Sequence, residues 1–257
     1  IAWGLGYFGM PHILLRFMAI RDEKKLKLSR RIASVWVVIS MSVAILIGVI
    51  GNAMSSAGVI ETFADTSASE TVIVKIAALM SENGILLAIV AGIILAGILA
   101  ATMSTADSQL LAASSSVSEN IMKGVFKLKI SEKATMIIAR ATVVVVSIIA
   151  AFLASDPNSS VFNIVSFSWA GFGAAFGPAI MLSLFWKRFN FKGAVAGIIT
   201  GAAVDILWYA FLTSTGIYEL LPGFVLGLIA AVVVTLCTNE PSKEVYELFD
   251  KAEKFDE

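Results

Sequence analysis

The apolar residues of this chain are gathered into blocks of about 20 residues, and this feature limits its possible folds more than any other. A helix of about 20 residues is long enough to cross the roughly 30 Å hydrocarbon core of a bilayer. Charged residues make up 15% of the chain, whereas a soluble domain has about 25%. We therefore expect an all-α, polytopic membrane protein with about seven transmembrane helices. The seven apolar segments are residues 1–19, 32–58, 84–118, 134–154, 161–186, 193–213 and 220–238.

The basic residues are confined almost entirely to alternate loops. If the loop at 21–31 is placed in the cytoplasm, 17 of the 19 Lys and Arg residues fall on that side, Lys75 falls outside and Arg140 lies within a helix. Because cytoplasmic loops are enriched in positive charge, this distribution predicts the orientation. We expect the protein to lie in the plasma membrane, which in a bacterium is the inner membrane. We also expect a transmembrane domain at 1–238 and a cytoplasmic tail at 239–257.

Side chains suited to covalent or metal-assisted catalysis are scarce. Cys237 and His12 are the single cysteine and histidine, so neither a disulfide framework nor a zinc site can be assembled. GxSxG, HExxH and Walker motifs are absent from the sequence, and we therefore predict that the protein is not an enzyme. The net charge of zero does not favour a nucleic-acid partner. Since the chain starts inside an apolar run, we expect it to be the C-terminal part of a longer protein.

The third apolar segment becomes polar from residue 100 onward but contains neither Pro nor Gly between Gly97 and Gly124. We therefore expect one helix from 84 to about 118, whose polar half faces protein or water. The helical repeat of 100° per residue places a group of small and hydroxyl-bearing residues on one face. These residues are Ala101, Ser104, Thr105 and Ser108.

This face has two possible roles. Hydroxyl and carbonyl oxygens are suitable ligands for a hard cation such as Na⁺, and a second helix would complete the coordination shell. Alternatively, the hydroxyls bond carbonyls of their own helix or serve as small packing residues. The pattern by itself leaves both possibilities open.

The first segment has three glycines and a proline within residues 4–11, which is unsuitable for a continuous helix. We expect a break that frees backbone polar groups at membrane depth. Trp3, Tyr7 and Pro11 follow an i, i+4, i+8 line beside it, and this arrangement is typical of a site for a small polar solute. The alternative is an interfacial aromatic belt with a kink used for packing.

The loop at 59–83 and the fifth and sixth segments contain further features. In the loop, Ser67 and Glu70 fit a capping box that would begin a short amphipathic helix. The glycines of the fifth segment favour close helix packing. Asp205 lies in the middle of the sixth segment, where a carboxyl must be protonated, face a cavity or have a partner.

Several long motifs occur in a characteristic order: AWGLGYFGMPH at the start, ILAATMST and SQLLAASS in the third segment, SWAGFGAAFGP in the fifth and LPGF in the seventh. With these motifs the chain resembles the sodium/solute symporter family, and its proline-transporting members most closely. The resemblance implies a LeuT-like fold of two inverted five-helix repeats. This chain would hold the second repeat and the trailing helices, and the N-terminal half would be missing.

The same resemblance implies functional roles for residues that the patterns had singled out. Trp3, Tyr7 and Pro11 correspond to substrate-site positions. Ala101, Ser104 and Thr105 correspond to ligands of the coupling sodium ion, and Ser108 is a weaker candidate because it only shares their face.

We therefore expect a sodium-coupled transporter that imports a small amino acid, proline before others, by alternating access. The expected partners are the solute, Na⁺, membrane lipid and the missing N-terminal half, with no cofactor beyond the coupling ion. Two alternatives are a symporter for another small organic solute and a symporter-like membrane sensor. An open channel fits less well, because a broken helix beside aromatic side chains suits occlusion.

Overall fold

The computed structural model describes residues 2–22, 25–155 and 160–253, and within these ranges it is helical and contains no β-strand. It forms two compact units, one of residues 1–19 with 162–257 and one of residues 20–161. The helices are α1 (Ala2–Gly6), α2 (Pro11–Met18), α3 (Leu26–Ser56), α4 (Thr66–Ser69), α5 (Val72–Ser81), α6 (Ile85–Ser115), α7 (Glu132–Leu153), α8 (Val161–Phe185), α9 (Phe191–Phe211), α10 (Leu220–Leu236) and α11 (Lys243–Glu253). Short 3-10 turns cover Tyr7–Gly9 and Thr213–Thr215, and a π-helical segment covers Ser116–Val125.

The predicted all-α architecture is confirmed, and each of the seven apolar segments corresponds to helix. Five of the described helices are long and apolar enough to cross a membrane, namely α3, α6 with its π-helical extension, α7, α8 and α9. The helix α10 has 17 residues and is apolar throughout, but it is slightly shorter. The first segment is divided into α1 and α2, as its Gly and Pro residues predict.

The helix of the third segment continues through its polar half, as predicted. After the 31 residues of α6 the chain keeps turning as a π-helix to Val125, seven residues beyond the expected end at 118. Gly124 is the second-to-last residue of this segment, and Lys127, with a positive φ of 51°, lies just beyond it, where the chain leaves the helical path. The whole 41-residue helix is far longer than a bilayer core requires.

The loop at 59–83 contains the predicted amphipathic helix, but the predicted capping box is wrong. The N-cap of α4 is Asp65, whose side chain accepts a hydrogen bond from Ala68 N at 2.7 Å. Glu70 instead accepts bonds from Ser160 Oγ at 2.6 Å and from Val161 N at 3.0 Å. Asp65 therefore caps α4, and the carboxylate of Glu70 joins this loop to the start of α8 instead of completing a capping box with Ser67.

In the unit of residues 1–19 and 162–257, the helices approach so closely that side chains larger than hydrogen do not fit at several glycines. A β-carbon added at Gly201 of α9 would lie 2.1 Å from Ala174 O of α8, and one at Gly193 would lie 1.9 Å from Thr235 Oγ1 of α10. Ala174 and Leu220 are fully buried at the centre of this packing. The predicted small-residue contact between helices is therefore present.

The tail contains a helix that the sequence analysis did not predict. One face of α11 is fixed to the loop before α9, because Asp250 forms an ion pair with Lys187. The ammonium group of Lys187 also lies 5.8 Å from the ring centroid of Tyr246. An 11-residue helix is marginal in isolation, so this docking stabilises it.

Asn190 joins the start of α9 to the end of α10, and its replacement gives a test of this unit. Its Oδ1 accepts from Gly193 N at 2.9 Å, and its Nδ2 donates to Thr238 Oγ1 at 2.8 Å and to Asn239 O at 2.9 Å. We expect Asn190→Ala to lower the free energy of unfolding by about 1 kcal/mol for the lost cap, with a further loss from the two amide bonds.

The matched variant Asn190→Asp keeps the capping oxygen and loses the amide donors. Thermal unfolding of the purified protein should therefore rank wild type above Asn190→Asp and Asn190→Asp above Asn190→Ala. Equal unfolding temperatures for all three would contradict the assigned role.

Candidate functional site

The break in the first segment has a defined geometry. The chain leaves the 3-10 turn at Gly9, Met10 is extended with φ −80° and ψ 119°, and Pro11 then occupies the first turn of α2. A long hydrogen bond of 3.5 Å from Met10 N to Tyr7 O bridges the break. Since Pro11 has no N–H to donate, the backbone here is less saturated with hydrogen bonds than in a continuous helix.

Two of the three residues predicted to line the solute site are exposed at this break. The Tyr7 side chain is 54% exposed, and its ring lies 5.5 Å from the ring of Trp169 at an interplanar angle of 52°. Pro11 is exposed as well. The backbone of Trp3 belongs to α1, but its side chain lies outside the described residues.

The glycines of the first segment hold α1 and the break against α8. A β-carbon at Gly6 would lie 2.8 Å from Trp169 Cδ1, and one at Gly9 would lie 2.9 Å from Phe172 O. In contrast, Gly4 faces open space. This segment therefore both breaks the helix at Pro11 and packs closely against α8 at Gly6 and Gly9. The aromatic contact of Trp169 was missed because the SWAGFG motif was interpreted only as packing.

The hydroxyl face of α6, defined as Ala101, Ser104, Thr105 and Ser108, forms one cluster of oxygens. Ser104 Oγ and Thr105 Oγ1 both donate to Ala101 O, at 3.1 and 3.2 Å, and Ser108 Oγ donates to Ser104 O at 3.0 Å. These are the intrahelical bonds that the packing alternative predicted. A hydroxyl oxygen that donates its proton keeps lone pairs for a cation, so the bonds do not remove the capacity to bind one.

The two predicted sites belong to different units of the fold. The hydroxyl face lies in residues 20–161, and the broken helix lies in the other unit. Among the described residues no three His, Cys, Asp or Glu side chains gather into a conventional metal site. A cation at α6 would therefore depend on hydroxyl and carbonyl oxygens.

A further polar group surrounds Asp205, and sequence reasoning found only part of it. Asp205 is fully buried on α9, and the half-turn before α10 brings Tyr218 and Glu219 to the same end of the unit. Tyr218 Oη donates to Ser166 O of α8 at 2.6 Å. Asp205 was noticed because it is charged within an apolar block. Tyr218 and Glu219 lie just before the seventh segment, where polar side chains are ordinary, and Ser166 is one of several serines within helical segments.

Comparison with known proteins supports the similarity suggested by the motifs. The profile of the Sodium:solute symporter family matches residues 1–201. The osmoregulated proline transporter OpuE of Bacillus subtilis is 41% identical over 99% of this chain and 50% of its own length. The sodium/proline symporter of Haemophilus influenzae is 41% identical over 98% of this chain and 50% of its own. The high-affinity proline transporter PutP of Bacillus subtilis is 42% identical over 97% of this chain and 51% of its own length.

The chain spans about half the length of the curated relatives it matches. No solved structure gives a significant match. The names of the relatives describe transport proteins rather than enzymes. Together with five helices suited to crossing a membrane, they indicate a multi-pass membrane protein. A family profile that matches most of the chain and relatives at about 40% identity along nearly all of it lead to one conclusion: the chain belongs to the sodium:solute symporter family.

Proposed function

We propose that this chain forms the second half of a sodium-coupled transporter that imports proline by alternating access. The complete transporter, as we use the term, is this chain together with the half of the relatives' length that it does not span. The observation that carries the proposal is the oxygen cluster on α6, in a chain whose relatives include sodium/proline symporters. The domain division at residue 238 and a cytoplasmic C-terminus are part of the proposal.

Sodium binds at the hydroxyl face of α6 in this proposal. Ala101 O, Ser104 Oγ and Thr105 Oγ1 lie within one helical turn and are already oriented toward one another by their hydrogen bonds. When the ion arrives, the two hydroxyl protons turn away from Ala101 O, and the three oxygens become ligands. Ser108 Oγ is one turn further along and has a weaker role.

Proline binds at the break between α1 and α2, beside Trp3, Tyr7 and Pro11. The exposed Tyr7 ring provides an apolar wall for the pyrrolidine ring, and unsaturated backbone groups at the break suit its charged amine and carboxylate. The packing of Gly6 and Gly9 against α8 holds this backbone in place.

The sodium gradient supplies the energy for import. Moving one charge through 100 mV gives about 2.3 kcal/mol, and a tenfold concentration gradient adds about 1.4 kcal/mol. One coupled ion can therefore sustain a more than hundredfold accumulation of solute. Sodium favours the outward-open state that binds proline, and both then leave to the inside.

Radiolabelled proline uptake into proteoliposomes tests the proposal directly. We expect the complete transporter to accumulate proline when an inward sodium gradient is imposed and not when potassium replaces sodium. Uptake of another solute under the same gradient would identify a different substrate and replace proline in the proposal. Proline binding without uptake would instead support the membrane sensor.

A further inference from the structure

A cavity of about 460 Å³ opens at the end of the α8, α9 and α10 bundle where α8 begins. It takes no part in the proposed binding of proline or in the hydroxyl face of α6. Six of its seven lining residues carry a side-chain oxygen. The polar lining residues are Asn163, Ser166, Tyr209, Thr213, Tyr218 and Glu219.

Buried oxygens of this unit, one of them on a residue that lines the cavity, have no hydrogen-bond partner within the described ranges. Ser166 lines the cavity and is 9% exposed, and its Oγ has no partner. Asp205 is 0% exposed, and neither of its carboxylate oxygens has one. Buried polar atoms in native proteins are nearly always satisfied by protein, ordered water or an ion, so these three oxygens require a bound water or ion.

Tyr218 lines the cavity together with Ser166 and bonds the backbone of that residue rather than its free hydroxyl. Its hydroxyl donates to Ser166 O at 2.6 Å. Burial first, and then the nearby carboxylates of Glu219 and Asp205, raise the pKa of Tyr218 to about 12. Tyr218 therefore remains a hydroxyl donor at every physiological pH, and the carboxylates of Glu219 and Asp205 are both near enough to act on it electrostatically.

The negative charge in this region has no basic counterpart. Neither Asp205 nor Glu219 forms an ion pair in the part of the chain that the structure describes. The helices α8 and α10, which pack against Asp205 through Gly171 and Gly223, carry no charged residue. The titratable groups that face Asp205 are thus Glu219 and Tyr218. Burying two carboxylates without a counterion is costly.

We propose that Ser166, Asp205 and Glu219 bind a sodium ion, at a site separate from the hydroxyl face of α6. A cation satisfies the unpartnered oxygens and offsets both carboxylates, with water completing the shell through the cavity. A single proton would neutralise one carboxyl but leave the other carboxylate charged and without a counterion among the described residues. The proposal concerns ion binding and does not depend on which solute is transported.

Equilibrium binding of radioactive sodium to the purified complete transporter tests the site without transport. We expect Asp205→Asn to remove one component of sodium binding, or to weaken it by more than about tenfold, while the component that depends on Thr105 persists. Thr105→Ala should have the opposite effect, and the double variant should lose both. If Asp205→Asn binds as much sodium as wild type with the same affinity, the proposal is overturned.

Two further variants keep the test informative if Asp205→Asn does not fold. Glu219→Gln and Ser166→Ala should each weaken the same component. Ser168→Ala is the matched control on α8, because Ser168 Oγ is already satisfied by Ile164 O at 2.9 Å. Equal effects of Ser166→Ala and Ser168→Ala would contradict the assignment.

Infrared spectroscopy distinguishes a bound sodium ion from a proton on Asp205. If wild type in saturating sodium shows the carbonyl band of a protonated carboxylic acid that Asp205→Asn removes, the ligand is a proton and the sodium site is overturned. Absence of that band, together with sodium-dependent shifts of a carboxylate band that Asp205→Asn abolishes, supports the proposal.

Discussion

Sodium-driven proline uptake by the complete transporter falls sharply when Thr105 is replaced by alanine, and this is the largest effect that we expect of any single substitution. The change removes one of three clustered oxygens and leaves Ala101 O and Ser104 Oγ in place. Losing one ligand or hydrogen-bond partner of a charged group costs about 1.4 to 2.8 kcal/mol, which corresponds to a tenfold to hundredfold lower apparent affinity for sodium. Uptake measured against sodium concentration gives this value.

Two matched variants distinguish ligand loss from helix damage. Thr105→Ser keeps the hydroxyl and should retain most of the sodium affinity. Thr102→Ala removes a hydroxyl that bonds Ile98 O at 2.9 Å in the same helix but lies outside the arc of the hydroxyl face, so its effect should be small. If Thr102→Ala and Thr105→Ala behave alike, or if Thr105→Ala retains normal sodium dependence, the proposed ion site is wrong.

Replacing Gly173 with alanine should damage both the stability and the solute site. Its β-carbon would lie 2.4 Å from Gly6 Cα and 2.7 Å from Leu220 Cδ1. The backbone of α1 would have to move away from α8. This movement would shift the helix break that follows Gly6. Overpacking of this kind costs about 1–3 kcal/mol. We expect a lower thermal unfolding temperature and a marked loss of proline binding in equilibrium measurements.

Gly171→Ala is the matched control on the same helix. There the atom nearest to an added β-carbon is Asp205 Oδ2 at 3.6 Å, an ordinary contact, and alanine favours a helix by up to about 1 kcal/mol over glycine. Gly171→Ala should therefore unfold at or above the wild-type temperature. A wild-type unfolding temperature and normal proline binding in Gly173→Ala would show that α1 does not depend on this contact.

Local features of the fold could be predicted from the sequence because their causes are local. Apolar blocks of helical length, the absence of Pro and Gly from 98 to 123, and the cluster around Pro11 act through backbone geometry within a few residues. The capping of α4 could not be predicted in this way. Ser67 and Asp65 both have the right chemistry, and the carboxylate of Glu70 that a capping box with Ser67 needs is bonded to Ser160 and Val161, residues distant in sequence.

The candidate sites show the same division. The hydroxyl face follows from helical periodicity alone, because residues three and four apart share one side of any helix. The ring contact between Tyr7 and Trp169 joins residues far apart in sequence, and no local pattern specifies it. Asp205 was conspicuous in the sequence, but Ser166 and Glu219, which are distant in sequence, line one cavity only because of packing.

The sequence by itself determined that this protein is helical, that it enters a membrane and where its first helix breaks, because hydrophobic length and backbone preference act along the chain. Only the tertiary structure decided which side chains meet. Small residues such as Gly173 and Gly201 allow backbones to approach until distant polar groups share one space. How closely two helices approach depends on the shapes of both, so the sequence pattern of one segment does not predict it.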